Sequence, residues 1–298
     1  YLLNDKRNKE VREAYKKLIE KQMMNAGYSR KDAARITKNV MKIETLIADS
    51  TWTREQSRNI PAMYNPRTMA ETQAMYPNLP LKGFFEATMD IATPDTIIVT
   101  NFNTIKQGDN LMKSLTDREK KDYYLWDIVS SAAPFLSDDF TDAGFEFNKV
   151  MSGVQQQRPR WKRALGVTEG YLGEGIGKLY VEQYFPESSK TYMIGLVENL
   201  RNALGKHIMH LPWMSDDTKI AAMKKLNSIT VKIGYPDKWE TYLDDVEIKS
   251  ASEGGSYFEN MLSVAKGSKK ELSNLQGKSV DKTKWAMYPY TVNACYSA

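Results

Sequence analysis

The chain has 298 residues, 41% of them apolar, and a mean hydropathy of −0.55, which fits one or two globular domains. Lys and Arg number 42 against 37 Asp and Glu, and the two signs interleave, which argues against a polyanion-binding face. A single cysteine, Cys295, excludes an internal disulfide framework, and no apolar run reaches the roughly 18 residues of a membrane span. No basic segment with an apolar core opens the sequence, so no export signal is expected within it, and the Tyr1 start reads as a processed or excised end.

Residues 4–26 are predicted to form a helix, with Val11, Tyr15, Leu18 and Ile19 at three-four spacing and Gly27 as its stop. Ser29 and Asp32 begin a second helix that lines up Ala33, Ile36, Val40, Ile43 and Ile47, so an antiparallel pair is expected. Asn65 and Pro66 read as a cap and first helical position of a short helix ending before Pro77. Residues 81–90 suggest another helix, residues 96–101 a strand, and residues 103–115 a further helix. Thr116 and Glu119 form a capping box before the aromatic helix of Tyr123, Tyr124 and Trp126, whose rings point to packing rather than cofactor stacking.

Residues 155–163 are the most basic stretch. Arg158, Arg160, Lys162 and Arg163 with Trp161 could touch RNA, but nothing nearby extends the patch. A loop entering a helix, its arginines paired with carboxylates, is the preferred reading. Gly173, Gly175 and Gly177 resemble a phosphate-cradling loop but lack the strand such a loop follows, so a turn or helix-packing role is expected.

Residues 190–211 make the cleanest amphipathic helix, with Met193, Leu196, Val197, Leu200, Leu204, Ile208 and Leu211 in one stripe. Both histidines, His207 and His210, lie on it. No Glu stands between them, and they do not converge cleanly, so a metal role is not favoured. Ser215 caps the next helix, residues 229–233 alternate like a strand, and residues 234–237 make a turn. A loop over 244–256, a helix over 256–266 and a Lys-rich connector over 267–284 complete the body. About ten helices and three short strands are expected.

The last strand is in the tail. Tyr288, Tyr290, Thr291, Val292 and Tyr296 are strand formers, and Pro289 forbids helix just before them. An edge strand of this kind offers backbone donors and acceptors to an incoming peptide, and Asn293 adds a side-chain amide. The run breaks off where an edge strand would enter a sheet.

Several blocks, in order, resemble the neprilysin-type zinc metallopeptidases, including the bacterial oligoendopeptidase O group. They are residues 43–52 with Arg54, Arg58, Tyr64 and Asn65; residues 160–163 with 177–181, Tyr184 and Phe185; residues 211–215 with Thr218, Lys219, Lys225, Leu226 and 232–239; and the tail 289–296. The resemblance implies a zinc endopeptidase that hydrolyses oligopeptides, and a fragment of it that lacks the zinc-binding catalytic part. The family's zinc sits on HExxH plus a downstream glutamate, and this sequence has no HExxH. Zinc is therefore expected in the parent protein and none on this chain, which has no catalytic or metal-ligating residue of its own.

By the same resemblance, Asn293 and Ala294 are the substrate-binding residues, holding the peptide backbone. Cys295 stands where the family usually has an aromatic residue. The implied fold class is mainly α: a multi-helix lid or chamber domain with a few short strands, ending in an edge strand of the missing catalytic domain. Residues 1–284 would be the helical chamber region, and 285–298 the linker and first substrate-pairing strand. The partners implied are oligopeptide substrates and the missing catalytic domain, with no nucleic acid. The chain alone is predicted inactive, in a parent that is exported (periplasmic, cell-surface or secreted), with the cytoplasm as the other location. The alternative is a non-catalytic helical module that binds peptides or proteins.

Overall fold

Asp5 and Ser29 start the helical pair on which the first half of the molecule is assembled, each accepting a hydrogen bond from a backbone N–H in the first turn. The computed structural model describes residues 2–239, 243–244 and 246–296. In it α1 (Lys6–Asn25) turns at Gly27, which adopts a positive φ of 90°, into α2 (Arg30–Ser50). A short α3 (Ile60–Met63) leads into β1 (Pro66–Thr68), followed by α4 (Met69–Met75) and α5 (Leu81–Gly83). The chain then forms β2 (Thr96–Ile98), α6 (Phe102–Ser114), α7 (Asp117–Ala132) and α8 (Asp138–Ser152). Beyond these lie α9 (Arg160–Tyr184), α10 (Glu187–His210), α11 (Asp216–Ser228) and α12 (Tyr257–Ser273).

The fold is mainly α, as expected, with twelve α-helices and one two-stranded antiparallel sheet among the described residues. That sheet pairs Pro66 with Ile98 and Thr68 with Thr96. Pro66 therefore lies in a strand instead of opening a helix, and Thr68 with Glu71 forms the capping box of α4. The reason lies in Asn65: its side chain donates to the Ala62 and Val99 carbonyls, and its own carbonyl accepts from the Val99 N–H, which holds the segment extended.

Other expectations shift. The helix over 81–90 is one turn of α5 continued by a π-helical turn over Phe84–Thr88. Residues 229–233 form no strand, because among the described residues no second strand lies alongside to complete a ladder. The helix foreseen over 256–266 runs on to Ser273, its start fixed by a Ser256–Glu259 capping box.

Two compact units emerge: residues 1–157 with 247–276, and residues 158–246 with 277–298. In the first, Ile19 and Met23 of α1, Ala33, Ile36 and Val40 of α2, and Trp126 of α7 form the core cluster. Trp126 is 5% exposed, so the aromatic helix does pack inward. Asp122 of α7 is fully buried, and Arg35 and Asn39 of α2 donate to it at 3.0 and 2.8 Å. Asp109 of α6 is likewise buried; it accepts from the Asn78 N–H at 2.7 Å and from the Lys106 ammonium at 3.1 Å.

In the second unit few side chains are buried. Gly205 of α10 lets α11 come close: a β-carbon there would meet Met223 Cε at 3.2 Å and Leu226 Cδ2 at 3.4 Å. The predicted apolar stripe coincides with that contact face only in part: Val197, Ile208 and Leu211 are half-buried. Met193, Leu196, Leu200 and Leu204 are all exposed, Leu200 to 60%. Of the cations in the basic stretch, none makes an ion pair with a carboxylate among the described residues, which corrects the expected pairing. The stretch does enter a helix at Arg160, after Pro159.

Candidate functional site

The tail is seated by a bare strip on α9. Gly173 and Gly177 are one helical turn apart and so share a face, and both are buried. A β-carbon on Gly173 would stand 2.3 Å from Cε2 of Tyr288, and one on Gly177 would stand 2.7 Å from Cδ of Pro289. Only glycine leaves room for that approach. Leu172, just before the strip, departs from helical geometry at φ −121° and ψ 19°, which kinks α9 where the tail crosses. Gly173 and Gly177 thus serve the packing of the tail on α9, whereas Gly175 meets only an ordinary contact, and the signal in the sequence was the four-residue spacing of the first two.

A second support is the loop after α11. Tyr235 stacks on Trp239 with planes 4° apart, and Phe185 meets Tyr235 edge-on. Lys190 of α10 donates to the Tyr235 carbonyl at 2.8 Å and to Asp237 at 2.6 Å, with its ammonium 4.3 Å from the centre of the Tyr235 ring. Gly234, at φ +76°, makes the turn beneath Phe185. A cavity of about 250 Å³ opens between Trp239, Glu174 and Trp285. None of these roles for Lys190 or Tyr235 was evident from residue patterns, because the partners are 45 or more positions apart in the chain.

From Tyr288 the tail climbs an aromatic ladder. Tyr288 and Tyr290 stack at 5.7 Å, and Tyr290 meets Tyr180 of α9 at 6.2 Å. The Tyr290 hydroxyl is buried without a hydrogen-bond partner among the described residues, and burial, reinforced by Glu169 and Tyr288, pushes its pKa up to about 12. The Thr291 N–H then closes a turn on the Tyr288 carbonyl at 2.9 Å.

Beyond that turn Val292, Asn293, Ala294 and Cys295 are exposed, with no ladder partner among the described residues. The Asn293 N–H donates to the Thr291 carbonyl at 3.0 Å, and the Ala294 N–H donates to Asn293 Oδ1 at 2.8 Å. The two expected substrate-binding residues are therefore adjacent and open to solvent, but in this state their N–H groups close local turns. Tyr296 lies with its ring centre 5.6 Å from the Lys225 ammonium.

His207 and His210 are both exposed on α10, and His210 Nδ1 donates to the Lys206 carbonyl at 2.7 Å. No three His, Cys, Asp or Glu side chains come together as a metal-holding set among the described residues. The donor set among the described residues does not fit a catalytic zinc. No helix among the described residues is long and apolar enough to cross a membrane.

Comparison with known proteins places this architecture. The N-terminal profile of peptidase family M13 matches residues 1–236. The chain is 28% identical to the neutral endopeptidase of Lactobacillus helveticus, over 94% of this chain and 43% of that protein. It is equally 28% identical to endothelin-converting enzyme 1 of Rattus norvegicus, over 100% of this chain and 40% of that protein. The chain thus spans about two fifths of the length of these curated relatives. The open state of the Mycobacterium tuberculosis zinc metalloprotease Zmp1 superposes with a TM-score of 0.85 at 30% identity, covering 99% of this chain and 45% of that one. PepO from Lactobacillus rhamnosis HN001 shares the fold, with a TM-score of 0.82 at 20% identity. By its sequence profile and its helical architecture, the chain belongs to peptidase family M13.

Proposed function

We propose that this chain is the helical portion of an exported zinc metalloendopeptidase, in which it limits the access of oligopeptides to the active-site chamber. The observation that carries this reading is the exposed stripe of α10. Met193, Leu196, Leu200 and Leu204 form the most regular apolar face in the sequence, and that face meets solvent. Apolar surface of this kind is normally covered. The relatives are more than twice as long as this chain, and the rest of such a polypeptide, carrying the catalytic part, is the natural cover.

In this reading residues 285–298 are the linker and first substrate-pairing strand, and residues 1–284 the chamber region. Asn293 and Ala294 hold the peptide backbone once the local turns open, with the Asn amide setting register. The zinc is held by the rest of the parent, since the His, Cys, Asp and Glu residues described here form no ligand set.

The test uses the purified chain and its longer parent. The 298-residue chain should retain no stoichiometric zinc after dialysis and show no chelator-sensitive cleavage of oligopeptides. The parent should do both, and lose cleavage when Leu200 and Leu204 are replaced by Glu. Stoichiometric zinc or cleavage in the chain alone would overturn the reading. Peptide capture without cleavage by the parent would favour a non-catalytic binding module.

A further inference from the structure

A cavity of about 300 Å³ opens in the first unit, beside the core, between α1, α2 and α7. Its wall combines three features that call for the same kind of occupant. First, Gln22 of α1 is only 4% exposed, its Nε2 donates to the Phe140 carbonyl at 3.5 Å, and its Oε1 has no hydrogen-bond partner among the described residues. A buried carbonyl oxygen left this way costs free energy until a donor arrives. Second, two carboxylates line the same space. Glu44 of α2 accepts from the Tyr15 hydroxyl at 2.8 Å, and Asp127 of α7 stands at the exposed rim. Neither makes an ion pair among the described residues, and no Lys or Arg lines the cavity. Third, the remaining wall is aromatic: Tyr15 and Trp126 meet edge-on at 6.0 Å, with Tyr123 nearby.

An unpaired acceptor, uncompensated negative charge and ring faces all favour a donor-bearing cation with an apolar stem. We propose that this cavity binds a primary alkylammonium group. The ammonium would donate to Gln22 Oε1 and to the Glu44 and Asp127 carboxylates, while the alkyl stem lies against Tyr15, Tyr123 and Trp126. One water does not fill a space of about 300 Å³, since its share of liquid volume is about 30 Å³. A bare metal ion is disfavoured, since no three His, Cys, Asp or Glu side chains gather there. Burial raises the Glu44 carboxyl above its ordinary value against the hydrogen bond from Tyr15, and an arriving cation would relieve that penalty. The same chemistry is carried by a free amine and by the lysine side chain of a peptide.

The experiment is a calorimetric titration of the 298-residue chain at constant ionic strength with butylammonium chloride, 1-butanol and Nα-acetyl-lysine N-methylamide. Butylammonium should saturate with a Kd of about 1 mM, in keeping with its few heavy atoms. Butanol, of the same shape without the charge, should bind at least about tenfold more weakly. Glu44→Gln should weaken butylammonium by about tenfold, and Asp127→Asn, at the exposed rim, by about threefold with no effect on folding. Saturation by the lysine derivative as well identifies a peptide side chain as the source; saturation by butylammonium alone identifies a free amine. The proposal is overturned if butylammonium does not saturate, if butanol binds as tightly, or if both variants bind butylammonium as the unmodified chain does.

Discussion

The ring of Tyr288 rests directly on the backbone of Gly173, where an added β-carbon would stand 2.3 Å from the ring carbon Cε2. No small adjustment accommodates that distance, because the flat ring is held between the α9 strip and Tyr290. Gly173→Ala should therefore unseat residues 286–290 and cost about 1–3 kcal/mol, the usual range for forced overpacking. Gly175→Ala is the internal control: its β-carbon would meet only Leu243 Cδ1 at 3.6 Å, an ordinary contact. It should gain about 0.5–1 kcal/mol from helix propensity. Urea denaturation of both variants checks the pair, and equal stabilities would mean that the Tyr288 seat is not formed.

The tail should divide sharply in hydrogen exchange. Residues 285–290 are held against the body, whereas beyond Thr291 the amides of Asn293 and Ala294 bond only to groups one or two residues away. Exchange across 292–296 should run within about tenfold of the free-chain rate, since local opening there costs almost nothing. High protection over 292–296 in the monomer would contradict both the open tail and its proposed role as a strand awaiting its sheet.

Much of this fold is legible because its signals are local. Ser29 with Asp32, Thr116 with Glu119 and Ser215 with Thr218 mark helix starts through contacts three residues apart, and each appears where expected. What could not be read depends on partners. The alternation of residues 229–233 satisfies a strand pattern, yet a strand needs a neighbour to pair with, and among the described residues only β1 and β2 pair. The stripe on α10 was legible as apolar, but which side meets α11 is decided by Gly205, a residue with no hydrophobicity to register. Asn293 and Ala294 were reached through resemblance to a family, and their local turns follow from the absence of a partner strand among the described residues.

Asp122 joins α2 to α7 from a fully buried position, with Arg35 forked onto both of its oxygens at 3.0 and 3.2 Å and Asn39 adding a third donor. Removing Asp122 takes the acceptor from the Asn39 amide and from one side of Arg35, which keeps Asp32 as an ion-pair partner. Asp122→Ala should lower stability by about 1.5–3 kcal/mol, the range for losing hydrogen bonds to a buried charged group, and Arg35→Met with Asp122→Leu should recover part of that loss. Thermal unfolding of the single and double variants gives the answer; a single variant that unfolds at the temperature of the unmodified chain would refute the claim.

Asp109 sets an acid limit on the first unit. Burial by itself raises its carboxyl, but the Asn78 N–H, the Lys106 ammonium and the Asn78 side chain outweigh that and leave it below the ordinary carboxylate value of 3.8. A carboxyl lowered in the folded state binds fewer protons there than in the unfolded chain. It therefore stabilises at all pH above its unfolded value, and the stabilisation drains away as pH falls through the folded value. Asp109→Asn removes this dependence and presents an amide to donors that want an anion, so the variant should be less stable at pH 7 by about 1–3 kcal/mol. Other lowered carboxyls, Glu119 at about 2 among them, share the acid limb, so the informative quantity is the difference between variant and parent chain. That difference should be constant from pH 7 to about pH 5 and shrink steadily below pH 4. A gap that stays constant down to pH 2 would show that Asp109 titrates alike in the folded and unfolded states.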